Sequence, residues 1–209
     1  MLATCSSDSK SAAPTGGQTT GAAAVETALP ADVSAVVADT VVAAGPLEAL
    51  LITLLPAEYA QIDDSEADTG PSDLAKAVSD DGGADAEAVL TAAGFVNGYQ
   101  RSWQTDDQSS LIIVFLYQFS KADGAASYAD RTLDTFDTDA VLKAVPFKVD
   151  GIPGASGRSL TNLEADGRLA SAVLFSKTGY LVQIVVVGPT DNANQILVRQ
   201  LALDQFNRL

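Results

Sequence analysis

The 209 residues contain no histidine and a single cysteine, Cys5. The first absence excludes Ser-His-Asp catalysis, imidazole acid–base chemistry and histidine-bearing zinc sites. The second excludes an intramolecular disulfide, a CxxC redox pair and a thiolate metal cluster. Positive charge is scarce as well: 12 Lys and Arg stand against 27 Asp and Glu, a net of −15. Such a chain lacks the basic face that counterion release from a phosphate backbone requires, which argues against nucleic-acid partners. Aromatics make up only 6% of the residues, so a core has to be built from Ala, Val, Leu and Ile. The most apolar stretch, residues 33–55, holds Asp39, Pro46 and Glu48 and runs into Pro56, which makes it a poor membrane span.

At 47% hydrophobic residues the composition is that of a core-forming chain. The acidity is lopsided. Residues 1–100 carry 15 acids and 2 bases, a net of −13, whereas residues 101–209 carry 12 acids and 10 bases, a net of −2. Residues 5–24 (CSSDSKSAAPTGGQTTGAAA) offer almost no large apolar side chain and cannot offset their chain entropy, so residues 1–29 are expected to be a start segment and flexible linker. Residues 30–209 are expected to form a single α+β domain.

Leu2-Ala3-Thr4-Cys5 ahead of that polar tether resembles the lipobox of bacterial lipoproteins, with Thr4 where Gly or Ala is usual. In that family a signal peptide is removed and the cysteine sulfur is diacylglycerylated. The resemblance therefore implies lipidation of Cys5, palmitate-type chains and anchorage to the cell membrane. Each buried methylene adds about 0.8 kcal/mol, so two or three chains hold stably.

Within the domain, residues 31–44 space Val33, Val36, Val37, Val41 and Val42 as a helix does, up to Gly45-Pro46. Residues 47–55 (LEALLITLL) form a second apolar run, helical or extended. Residues 58–87 hold ten acids against Lys76 alone, with helix starts at Ser72-Asp73 and Ala84-Asp85 that predict short helices over 72–79 and 85–93. Residues 30–93 thus read as an acidic, mostly helical part. From Gly94 the pattern turns to strands: 94–103 and 110–119 as a hairpin, a helix over 121–136, a short element at 139–145, then a Gly- and Pro-rich segment to Thr161. A second hairpin, 167–176 and 179–188, turns at Lys177-Thr178-Gly179, and a helix capped by Asp191 fills 191–208. The order ββα-ββα over 94–209 implies an antiparallel sheet of about four to five strands with both helices on one face, and N-terminal helices packing on it.

Residues 111–119 are apolar at every position but Gln118, and 180–187 at every position but Gln183. A half-exposed strand alternates, so these strands need cover on both faces, from residues 31–55, a second chain or an apolar ligand. On the first strand Phe95, Asn97, Tyr99, Arg101 and Trp103 alternate onto one face. Arginine between a tyrosine and the only tryptophan suits cation–π stacking. The cluster either pins the hairpin or faces a ligand, since Trp, Tyr and Arg concentrate at binding hot spots. With Tyr117 of the next strand, Tyr99, Arg101 and Trp103 are the candidate binding residues.

The acidic runs 63–68 and 80–87 do not match the EF-hand spacing and read as a solvated face. Gly151 to Arg158 is neither a Walker nor a Rossmann loop, and Ser156 has no base to activate it.

From residue 47 onward the chain resembles actinobacterial surface lipoproteins of uncharacterised role. The resemblance rests on LLITLLP (50–56), AAGFVNGYQRSW (92–103), VFLYQFSKADGAASYADRTL (114–133) and LVRQLALDQFNRL (197–209). It implies a lipid-anchored, extracytoplasmic α/β domain. The expectation is a non-enzymatic binding domain without cofactor or metal, holding an apolar or amphipathic ligand or a protein partner. The alternative is a structural surface protein that self-associates, as a homo-oligomer, through the same apolar strands.

Overall fold

The computed structural model describes residues 46–66, 68–161 and 168–209. Cys5, the linker and the helix expected over 31–44 lie outside the described residues. The architecture is α+β. Among the described residues four helices, α1 (Leu74–Asp81), α2 (Ala86–Ala93), α3 (Ala122–Thr138) and α4 (Asp191–Arg208), pack on an antiparallel sheet. Its strands are β1 (Tyr59–Gln61), β2 (Gly70–Ser72), β3 (Phe95–Thr105), β4 (Leu111–Phe119), β5 (Val145–Phe147), β6 (Ser156–Leu160), β7 (Leu169–Lys177) and β8 (Tyr180–Gly188). They lie in the order β1-β3-β4-β8-β7-β6-β5, with β2 also beside β3.

Among the described residues the sheet therefore has eight strands rather than four to five. The surplus is a fringe of strands three to five residues long, β1, β2, β5 and β6, too short to display a period of two. β1 and β2 run one after the other along the same side of β3, facing Trp103–Thr105 and Gly98–Gln100 respectively. The two expected hairpins are the centre of the sheet, joined through β4 and β8. Thr178 and Gly179 both have positive φ (47° and 83°), so the β7–β8 connection is a two-residue turn matched to the strand twist.

Both faces of the central strands are covered by the chain itself. On one face Trp103, Ile112, Leu116, Phe175 and Val182 meet Val198, Leu201 and Ala202 of α4, with Leu47, Leu51 and Ile52 from the N-terminal side. On the other, Tyr117, Phe119 and Leu181 meet α1, α2 and the start of α3 through Ala77, Leu90 and Tyr128. Farther along that second face, Leu174, Val185 and Val187 meet Leu133 and Phe136 of α3. Helices α3 and α4 thus lie on opposite faces, not on one. Strands that are apolar on both sides carry no signal of which side a following helix takes. Turning hairpin β7–β8 onto β3–β4 in the plane of the sheet leaves α4 on the face opposite α3, so the two ββα units are not superposable repeats.

Residues 47–55 begin as a 3-10 turn, Leu47–Leu50, pass through an extended Leu51 and continue without regular secondary structure. This segment is tied to α4 by the fully buried Gln205, which donates from Nε2 to Leu50 O (2.8 Å) and accepts from Ile52 N at Oε1 (2.9 Å). Asp73 caps α1 as expected, accepting from Lys76 N at 2.9 Å. Asp191 does not cap α4. Thr190 holds the cap position, and the Asp191 carboxylate accepts from Ser171 Oγ and Gln195 Nε2.

Candidate functional site

The alternation of β3 is broken by a β-bulge: the register with β4 shifts between Phe95, opposite Phe119, and Asn97, opposite Gln118. The extra residue is Val96, 50% exposed. The bulge turns Phe95 onto the α3 face, where its ring stands edge-on to Tyr117 and Phe119. Asn97 and Tyr99 keep the α4 side, so Phe95 does not share their face as strict alternation would have it. The four candidate residues are not one patch. Tyr117 points to the α3 face, its ring occupying the space a side chain at position 98 would need, which only Gly98 leaves open. Trp103, 5% exposed, is packed into the core beneath α4.

Tyr99 and Arg101 do meet. The guanidinium lies 5.1 Å from the Tyr99 ring centre, and Nη2 donates to Tyr99 Oη (3.1 Å) and to Glu48 Oε1 (2.7 Å). Tyr99 Oη in turn donates to Asp64 Oδ2. Burial, then this bond to a carboxylate, raise the Tyr99 phenol above its ordinary value. Arg101 is 6% exposed, and its Nε has no hydrogen-bond partner among the described residues. Glu48 and Asp64 are 53 and 35 residues away in the chain, so no local spacing could have signalled them.

Beside this cluster a groove of about 470 Å³ opens along the bulged start of β3. It is lined by three segments of the chain, Pro46 to Glu48, Pro71 to Leu74 and Val96 to Tyr99. The wall is mixed: apolar Leu47, Leu74 and Val96, carboxylates of Glu48 and Asp73, and Asn97, whose Oδ1 is buried without a partner among the described residues. A partly buried apolar recess with a few polar atoms left to satisfy is the general chemistry of a ligand site.

A second, smaller cavity of about 110 Å³ lies on the α3 face, between Phe115, Tyr117, Tyr128, Arg131, Phe136 and Gln183, with Asp80 and Asp81 at its edge. Here the polar groups answer one another. Tyr128 Oη donates to Asp81 Oδ2 (2.6 Å), Arg131 bridges Asp81 and Asp85, and Tyr117 Oη donates to Asp80 Oδ2 (3.2 Å), which also holds Lys76. Burial first, and the neighbouring carboxylates second, push both phenols far above their ordinary value. The acidic stretch is therefore not simply a solvated face: Asp64, Asp80, Asp81 and Asp85 each bind a tyrosine or a base. Among the described residues no group of three or more carboxylate or cysteine side chains is arranged to hold a metal ion. Gln183, the one polar residue of its apolar strand, lines this second cavity, and that interruption was its only mark in the sequence.

No family model matches the chain, and no curated protein matches it. Among solved structures it is similar to the crystal structure of the extracellular domain of PknH from Mycobacterium tuberculosis, at 14% identity and a TM-score of 0.49, over 78% of this chain and 95% of that one. No described helix is long and apolar enough to cross a membrane. The overlap assigns the chain to no family.

Proposed function

We propose that this chain is a non-enzymatic binding domain, held outside the cytoplasm by a lipid on Cys5, that takes an apolar or amphipathic ligand or a segment of a protein partner in the groove at the start of β3. The observation that carries the binding half of this reading is the contrast between the sheet and the groove. Helices α1 to α4 and residues 47–52 cover both faces of the central strands, while the recess beside Val96, Asn97 and Tyr99 stays open. Self-association through the faces of the central strands has little apolar surface to use, because β8 is buried at every position but Gln183 and β4 at every position but the half-buried Leu111, Ile113 and Phe115. The anchoring half is supported by Cys5 standing directly before a polar tether.

The binding half is tested with the neutral fluorophore N-phenyl-1-naphthylamine. Its emission should rise with the full chain and should not rise with Val96→Lys, which puts a charge in the groove lining. Equal emission with both proteins contradicts the groove as the site. The anchor is tested separately by expressing the gene with its upstream region. The protein should enter the detergent phase and Cys5→Ser should not; equal partitioning of the two contradicts the lipid.

A further inference from the structure

The position of the groove in the sheet says more about its occupant than its lining does. Along the outer side of β3, β1 pairs with Trp103–Thr105 and β2 with Gly98–Gln100. At Ser72 the chain leaves this line to start α1, so among the described residues nothing pairs with Phe95, Val96 and Asn97 on that side. The groove lies along this unpaired stretch of β3. It therefore continues the lane of two existing edge strands, three residues or about 10 Å long at the usual strand rise.

An unpaired strand edge is a template for another extended chain. Natural edges are blunted by proline, charge or a bulge. Here Pro71 stands in β2, which already has its neighbour, while the unpaired stretch carries the exposed Val96 and the unsatisfied Asn97 Oδ1. The bulge re-aims this stretch without closing it. The charged side chains that line the lane are of one sign, Glu48 and Asp73, and Asp64 adjoins Tyr99. Of the neighbouring bases among the described residues, Arg101 is buried and bonded to Glu48 and Tyr99, and Lys76 is held by Asp80 and Gln100.

From this juxtaposition we infer that the groove binds an extended segment of a partner protein that alternates apolar and basic side chains, added as a strand against Phe95–Asn97 in line with β2. The inference rests on the groove being the binding site and names its occupant. The segment's main chain pairs with the free edge, its apolar side chains cover Val96 and the half-buried Leu74, and its Lys or Arg side chains reach Glu48 and Asp73. Like charge on the segment is rejected at the same rim.

The experiment uses the full chain and three labelled hexapeptides read by fluorescence anisotropy: KVKVKV, EVEVEV, and KVKVKV with alternate amides N-methylated. The neutral naphthylamine probe is run in parallel. KVKVKV should bind and displace the probe, the other two should be weaker by at least about tenfold, and Val96→Lys should abolish the binding of KVKVKV while leaving the circular dichroism spectrum unchanged. Equal binding by the glutamate peptide or by the N-methylated peptide overturns the inference, since charge or main-chain pairing would then play no part. A probe that binds wild type and not Val96→Lys, with no peptide displacing it, overturns the extended-segment inference and leaves the groove as a small-molecule site. Binding of probe and peptide that is indifferent to Val96→Lys overturns both.

Discussion

Two tyrosine–carboxylate–arginine clusters sit on opposite faces of the same sheet, and they differ in how completely their polar atoms are satisfied. On the α3 face, Tyr128, Asp81, Arg131 and Asp85 form a closed network, and Tyr117, Asp80 and Lys76 close another beside it. On the α4 side, Tyr99, Arg101, Glu48 and Asp64 form a similar set, yet Arg101 Nε and the nearby Asn97 Oδ1 are buried with no partner among the described residues. The closed cluster staples α1 and α3 to the sheet. The incomplete one borders the larger recess. Residue type alone does not separate a staple from a site; the balance of donors and acceptors does.

The comparison can be broken by substitution. The largest effect belongs to the core beneath the incomplete cluster: Trp103→Ala should cost about 3–5 kcal/mol in urea unfolding, because a nearly fully buried indole leaves a cavity. A loss below about 1 kcal/mol would show that Trp103 faces solvent or a ligand instead. Next come the two carboxylates. Asp81, its side chain 7% exposed, serves Tyr128, Arg131 and the Gly83 amide, so Asp81→Asn should cost about 1–3 kcal/mol. Glu48, 56% exposed, should cost less than about 1 kcal/mol as Glu48→Gln, since a solvent-facing ion pair contributes little. Reversal of that order in denaturation curves would mean that the open cluster, not the closed one, is the staple.

Alkaline titration sharpens the same contrast. Burial raises all five tyrosines, Tyr117 and Tyr128 most strongly. A phenol raised in the folded state stabilises the fold fully below the unfolded value of about 10, and the contribution drains away as pH climbs beyond it. Stability should therefore fall above about pH 10. The fall should be blunted more by Tyr128→Phe or Tyr117→Phe than by Tyr99→Phe, as followed by phenolate absorbance and urea midpoints. The smallest effect on stability is expected of Val96→Lys, within about 0.5 kcal/mol, because the position is half exposed.

Much of this molecule could be read from the sequence, and the failures have physical causes. Both central hairpins and α1 to α4 fell within a few residues of their observed ends, because periodicity, the Asp73 cap and the Gly179 turn are local signals. Edge strands such as Gly70–Ser72 and Val145–Phe147 carry prolines and too few residues to show alternation. The face assignments failed where a single bulge residue, Val96, turned Phe95 away, and where doubly apolar strands left the side of α3 and α4 unspecified. Tyr99 and Arg101 were recognisable as a pair, but Glu48, Asp64 and Asn97 acquire meaning only once the chain brings distant segments to one strand end.

The central claim is that ligand chemistry belongs to the open recess and not to the closed cavity. Amide chemical-shift mapping of the full chain titrated with the neutral naphthylamine probe tests it most directly. The account predicts shifts concentrated at Leu47, Leu74, Val96, Asn97 and Tyr99. Shifts gathered instead around Phe115, Tyr117, Tyr128 and Gln183 would contradict it.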